Sequence, residues 1–281
     1  MKNIFKIYLI VAVAILTGCT KDAEVALPEY KPTLVIHSYI SPQDSGVVVY
    51  VNMSKSAYNS NYNDVNNVVN ATVKISDGVS SATLKFFPSF DKLSYAYYYI
   101  DSNMYKIIAG KTYQLEVSTP DGKKATASTK IPSIVPLKNI SYTLVKSQFG
   151  DSIYNLSFNF DDPFGQDDYF KFEAYVLTID TVAEELLQSS GSEDFGTYFN
   201  SDGKYISESM EAYGYYPLMS PDEIRIMDFR LMHVTREYYL YHQSIQNSGG
   251  GPFSEPNVVF TNITGGVGVF AGYSYDQRFL R

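Results

Sequence analysis

Apolar and polar residues alternate with a period of two in short runs along most of the chain, the pattern of strands that bury one face. Leu34 to Ile40, Val47 to Met53, Ala71 to Ser76, Ala82 to Phe87, Tyr95 to Ile100, Thr112 to Thr119 and Lys124 to Lys130 predict seven strands. Pro120-Asp121-Gly122-Lys123 predicts a tight hairpin between the last two, because Gly accepts the positive φ that such turns need. Leu115 and Val117 alternate with Glu116 and Ser118 going in; Ala125 and Ala127 alternate with Thr126 and Ser128 coming out. Seven strands in about 100 residues suggest an immunoglobulin-like β-sandwich over residues 33–135, built without a cysteine pair or a Trp. Within it, Ser54 to Asn70 reads as a long polar loop, either a recognition element or a mobile hairpin connection. Ile131-Pro132 to Val135-Pro136 reads as a linker.

The same pattern resumes in residues 136–281, with strands expected at Ile140 to Val145, Tyr154 to Phe160 and Tyr169 to Ile179. A looser stretch runs to about Glu223, followed by strands at Ile224 to Val234, Val258 to Phe260 and Val269 to Tyr275, the last after a turn region at Asn262 to Gly268. One helix is expected over residues 235–248: Thr235 caps it and Gly249-Gly250-Gly251-Pro252 ends it. Tyr238, Tyr241, His242 and Ile245 share one face of that helix, a stripe more typical of a core than of a site. The expected fold is therefore all-β, two β-sandwich domains in tandem (33–135 and 136–281), the second carrying one short α-helix.

The N-terminus follows another rule. A basic head, Met1 to Lys6, leads into ten apolar residues, Ile7 to Leu16, too short to span a bilayer but suited to a signal-peptide core. The run ends in Leu16-Thr17-Gly18-Cys19, a lipobox: small residues fit the signal peptidase, and the Cys19 thiol takes a diacylglyceryl group before cleavage. Residues 1–18 are thus a lipoprotein signal peptide and 19–32 an acylated tether, in which Pro28 and Pro32 disfavour helix. An anchor of two or more acyl chains, palmitate among them, holds stably where a single chain does not. Because Cys19 is the only cysteine, none remains for a disulfide, a Cys-zinc site or a thiol nucleophile. The short Lys21-Asp22-Ala23-Glu24 cluster fits either an acidic surface-export signal or a solvated tether.

Composition narrows the function classes. The chain has 281 residues, 45% hydrophobic and 19% charged, which excludes disorder as its main character. A net charge of −8 argues against a nucleic-acid partner. There are 26 Tyr and 17 Phe but no Trp, which suits half-buried sheet faces and also suits a ligand-binding surface. The three histidines, His37, His233 and His242, form no metal-protease motif, and neither a nucleophile elbow nor a phosphate loop occurs. No catalytic residue and no cofactor is therefore expected. Fourteen acids against Lys171 and Lys204 lie between Asp151 and Glu211, an acidic stretch able to steer a basic partner or simply to keep the protein soluble. Asp161, Asp162, Asp167 and Asp168 around Pro163 and Gly165 are the calcium candidates, without EF-hand spacing; the competing reading is a solvated loop.

Beyond the lipobox and the Val35 to Tyr39 strand, several segments carry a family resemblance: Ala71 to Gly78, Gly110-Lys111-Thr112-Tyr113 with Leu115-Glu116-Val117, and Phe160-Asp161-Asp162-Pro163. The most specific are Pro252-Phe253-Ser254-Glu255-Pro256, Thr261-Asn262-Ile263 and Gly265 to Phe270. In these the chain resembles the Bacteroidota lipoproteins of the domain of unknown function 4249 family. The resemblance implies a lipid-anchored outer-membrane protein, surface-exposed or on the periplasmic face, often encoded beside a TonB-dependent receptor; it supplies no catalytic residues. The resulting expectation is a non-enzymatic accessory or binding partner of such a receptor. The alternatives are a stand-alone glycan-binding surface lipoprotein and a structural or adhesion component.

Overall fold

A computed structural model of the chain describes residues 30–56, 66–89, 95–146, 152–165, 167–198, 203–214, 222–246 and 258–281. The signal peptide, the lipobox with Cys19, the middle of the Ser54 to Asn70 loop and the Gly249 to Pro256 segment lie outside the described residues. The first half contributes β1 (Leu34–Ile40), β2 (Gly46–Met53), β3 (Thr72–Ser76), β4 (Ser81–Thr83), β5 (Lys85–Phe87), β6 (Tyr97–Asp101), β7 (Thr112–Ser118) and β8 (Lys124–Lys130). The second contributes β9 (Asn139–Lys146), β10 (Ser152–Asp161), β11 (Asp168–Asp180), β12 (Glu185–Tyr198), β13 (Tyr205–Gly214), β14 (Glu223–Val234), α1 (Arg236–Gln246) and β15 (Gly266–Leu280). The fold is all-β, with one short helix among the described residues.

The strands form an eight-stranded sheet in the order β12-β11-β14-β15-β1-β2-β6-β5, a three-stranded sheet β13-β10-β9 and a four-stranded sheet β4-β3-β7-β8. Each smaller sheet covers part of one face of the large one, because alternation gives both an apolar side. Leu34, Ile36 and Ile40 of β1 and Val47, Val49 and Val51 of β2 meet Val73 and Ile75 of β3 and Tyr113, Leu115 and Val117 of β7 in a first core. Leu156, Phe158 and Phe160 of β10 meet Phe170 and Phe172 of β11 and Phe229 and Leu231 of β14 in a second. Phe158 and Phe229 rings lie 4.7 Å apart at their centroids, a tilted contact that suits the aromatic quadrupole.

The expected division at residues 135/136 falls in the connection between β8 and β9, but hydrogen bonding crosses it. The C-terminal strand β15 pairs in parallel with β1, Leu34 opposite Gly266 through Ile40 opposite Gly272. Further along, β15 pairs antiparallel with β14. Ile263 and Phe270 belong to the first core although they come from the end of the chain. Residues Pro32–Arg281 consequently make one compact unit, rather than two independent bodies in tandem.

Local departures from the expected strands have physical causes. The run expected at Ala82 to Phe87 divides at buried Leu84, whose N–H donates to the Val73 carbonyl; β4 stays in the four-stranded sheet while β5 joins the large one. The looser stretch contains two strands, β12 paired with β11 and β13 paired with β10. Val258 to Phe260 is not a strand. Next to it, the Asn262 side chain accepts from Phe270 N–H (3.0 Å) and donates to Phe270 C=O (2.7 Å), standing in for a neighbouring strand beside β15. The turn expected across Asn262 to Gly268 ends early, since Gly266 to Gly268 already belong to β15.

Candidate functional site

The face of the large sheet opposite the two cores carries the other half of the alternation. It presents His37 and Tyr39 from β1, Lys171, Glu173 and Tyr175 from β11, Arg230 and Met232 from β14, and Tyr273 and Tyr275 from β15. Helix α1 packs across it: Tyr238 and Tyr241 are buried with Tyr169, Met232, Val234, Val269 and Ala271, while Tyr39, Phe195, Tyr273 and Tyr275 pack against this cluster. The helix forms as expected, with Thr235 at its start: the Thr235 carbonyl accepts from Tyr239 N–H at 3.1 Å, and its hydroxyl faces Tyr238 N–H at 3.4 Å. Of the expected stripe, Tyr238 and Tyr241 are buried, His242 half-buried and Ile245 exposed. His242 stacks on Tyr238 with ring centroids 4.6 Å apart. Burial lowers the pKa of His242 and of His37, and His37 Nε2 shares a hydrogen bond with the Tyr241 hydroxyl.

Beside α1 this face opens into a cleft of about 270 Å³, lined by Tyr39, Asp44, Glu173, Tyr175, Arg230, Met232, Tyr238, Tyr273 and Tyr275. Asp44 sits on the β1–β2 turn and accepts from the Tyr273 hydroxyl at 2.8 and 3.0 Å. The same turn is clamped to β15 by Gln43, whose side-chain amide donates to the Tyr275 carbonyl at 2.6 Å. Tyr39 and Tyr238 rings are 4.8 Å apart, and Tyr238 and Tyr273 are 6.1 Å apart. Burial raises the pKa of Tyr39 and Tyr273 and pushes Tyr238 up to about 12, so these rings are neutral hydroxyl-bearing walls at physiological pH. Burial also raises the Asp44 pKa, against the hydrogen bond from Tyr273.

The cations of this face are already paired. Lys171 bridges Glu173 (2.7 Å) and Glu193 (2.5 Å), and Arg230 bonds Asp228 at 3.0 Å and stands 3.9 Å from Glu173. Burial opposes the Lys171 charge, but Tyr238 and the two glutamates outweigh it and hold its pKa above the ordinary value. The Arg230 guanidinium lies over the rings of Tyr175 and Tyr275, 5.7 and 5.6 Å from their centroids. Gly191 on β12 makes room for this arrangement, since a Cβ there would stand 2.6 Å from the Tyr175 ring.

A second cleft, of about 410 Å³, lies where the β8–β9 connection meets the start of α1, and His233 and Asp168 line it. His233 Nε2 is 2.8 Å from Asp168 Oδ1, and Nδ1 is 2.9 Å from the Ser133 carbonyl. Both residues are buried and the imidazole stacks on Phe170, so the ring is engaged on each nitrogen and on one face. Held on both nitrogens, this histidine ties the connection to the second core.

The calcium candidates do not share a site. Asp161 pairs with Lys138 at 2.7 Å, Asp162 is buried behind the β10 end, Asp167 is exposed and Asp168 faces His233. Among the described residues no group of three or more His, Cys, Asp or Glu is placed to hold a metal ion. The acidic stretch is likewise not one surface: Asp162, Asp168 and Glu173 are buried within it. The sequence reading put Tyr238 on a core stripe and did not bring the other cleft residues to it, although Tyr39 shares a strand face with His37 and Tyr273 with Tyr275. That signal marks a sheet face without saying what lies across it.

The model of a family described as a domain of unknown function, DUF4249, matches residues 20–278. Comparison with curated proteins finds no match.

Proposed function

The chain belongs to the DUF4249 family, and from that premise we propose that it is a lipid-anchored, non-enzymatic outer-membrane protein that assists a TonB-dependent uptake receptor. The observation that carries the reading is Leu16-Thr17-Gly18-Cys19 at the end of a ten-residue apolar run, with Cys19 the only cysteine. No described helix is long and apolar enough to cross a membrane, which is compatible with attachment by acyl chains. A binding rather than catalytic role is supported by the cleft beside α1, where the cations are engaged in ion pairs and the walls are tyrosines. Cys19→Ala should release the protein from membranes and abolish labelling by a fatty-acid analogue. Retention and labelling equal to wild type would sink the anchor, and a pull-down from solubilised outer membrane that retains no receptor would sink the partner.

A stand-alone glycan-binding role is favoured by a separate aromatic strip on β2, β5 and β6. There Tyr50 contacts Tyr95 and Tyr97, and Phe87 stacks on Tyr97 at 5.5 Å. Tyr50 is 36% and Tyr95 57% exposed, enough to stack on a sugar ring. Retention of the protein on a glycan column, without a receptor in the pull-down, selects this reading instead.

A further inference from the structure

We propose that the tyrosine cleft beside α1 binds an organic cation, an ammonium or guanidinium group, held by the Asp44 carboxylate beside the Tyr39 and Tyr273 side chains. This rests on the reading of the cleft as a binding site and adds the chemistry of what enters it.

Charge supports it first. Asp44, Glu173, Glu193 and Asp228 face this region against only Lys171 and Arg230, and those two cations are satisfied by Glu173, Glu193 and Asp228. Asp44 accepts from the Tyr273 hydroxyl and makes no ion pair among the described residues, so negative charge is left beside the rings. An anionic ligand would meet that carboxylate in a partly dehydrated setting, where repulsion is weakly screened. A cation would instead gain the carboxylate and the tyrosine rings beside it.

The protein already uses the same chemistry on the same face. The Arg230 guanidinium lies over Tyr175 and Tyr275, and Lys171 stands 5.9 Å from the centre of the Phe195 ring. Those internal cations stand on β11 and β14, and Tyr238 is already engaged by Lys171; Tyr39 and Tyr273 stand on β1 and β15 beside Asp44. Size is consistent too: about 270 Å³ is below the range of drug-sized pockets and suits a single head group or side-chain tip.

The test uses the mature acylated chain in neutral detergent and ligand-observed NMR. N-acetylarginine amide is compared with N-acetylcitrulline amide, which keeps the shape and loses the charge, and choline serves as the free quaternary ammonium. Arginine amide or choline should bind at millimolar concentration, with citrulline amide about tenfold weaker or undetected. The tighter of the two cations assigns the source, a basic side chain or a free ion. Asp44→Asn keeps an acceptor for Tyr273 and should weaken cation binding about fivefold or more, as should Tyr39→Leu, whereas Glu116→Gln on the distant four-stranded sheet should not. Equal binding of arginine and citrulline amides, or cation binding unchanged in both cleft variants, overturns the proposal. So does the absence of any cation binding to folded wild type. Receptor pull-down on the same samples separates the two readings: a receptor retained without cation binding overturns this inference alone, and cation binding without a receptor overturns the partnership alone.

Discussion

Asp44 shows at the scale of one residue how a site differs from a core. Its carboxyl is raised above the ordinary value of 3.8, first by burial, with the Tyr273 hydrogen bond pulling the other way. A raised folded-state pKa means that the folded protein holds the proton more tightly than the unfolded chain. The stability this contributes is fully present below pH 3.8 and is lost as pH rises through the raised value. Above the raised value the ionised group is therefore a cost. The residues facing it, Tyr39, Glu173, Arg230, Tyr238, Tyr273 and Tyr275, supply no ion-pair partner in compensation. Asp44→Asn should melt about 2 °C above wild type at pH 7, with the gap closing towards pH 4. A lower melting temperature for the variant at pH 7 would mean that the carboxylate is stabilising, contrary to this account.

At the scale of elements, the parallel pairing of β1 with β15 is the joint between the two halves of the large sheet. Gly268 adopts φ of +111°, and a Cβ there would stand 2.0 Å from the Ile36 carbonyl oxygen. An alanine must both leave a conformation that L residues rarely adopt and push the two strands apart. Gly268→Ala should cost about 1–3 kcal/mol from backbone strain alone, read by urea unfolding. A loss within experimental error would show that the strands part without penalty. The same element explains why Asn262 matters: on the side of β15 away from β1, its side chain satisfies both backbone groups of Phe270 before β14 pairs with the rest of the strand.

For the whole molecule, the eight-stranded sheet makes one wall of each core, so neither core can lose its strands while the other keeps them. Unfolding of the mature chain by urea should follow a single transition, coincident by far-ultraviolet circular dichroism and tyrosine fluorescence. A fragment of residues 33–135 should not fold alone, because Ile263, Phe270 and the β1 partner strand are missing from it. Two separated transitions, or a cooperatively folded fragment, would restore the picture of independent sandwiches.

Local rules carried much of this architecture. Period-two alternation placed β1 and β8 at their observed bounds, Gly122 marked the hairpin between β7 and β8 with φ of +88°, and Thr235 marked the start of α1. These features depend on residues within a few positions of one another, and so the sequence alone determined them, along with the all-β class. β13 was legible in principle, since Ile206, Met210 and Ala212 face one way, but Glu208 interrupts that stripe. β12 was not: its run Gln188-Ser189-Ser190-Gly191-Ser192-Glu193-Asp194 has no apolar face, and it becomes a strand because β11 offers it a hydrogen-bonded edge. The cleft belongs to the same class of fact. Asp44 and Tyr273 meet across 229 residues of sequence, and Asp168 meets His233 across 65. Alternation tells which face of its strand a side chain takes; which strand lies beside it is decided only when the sheets close over their cores.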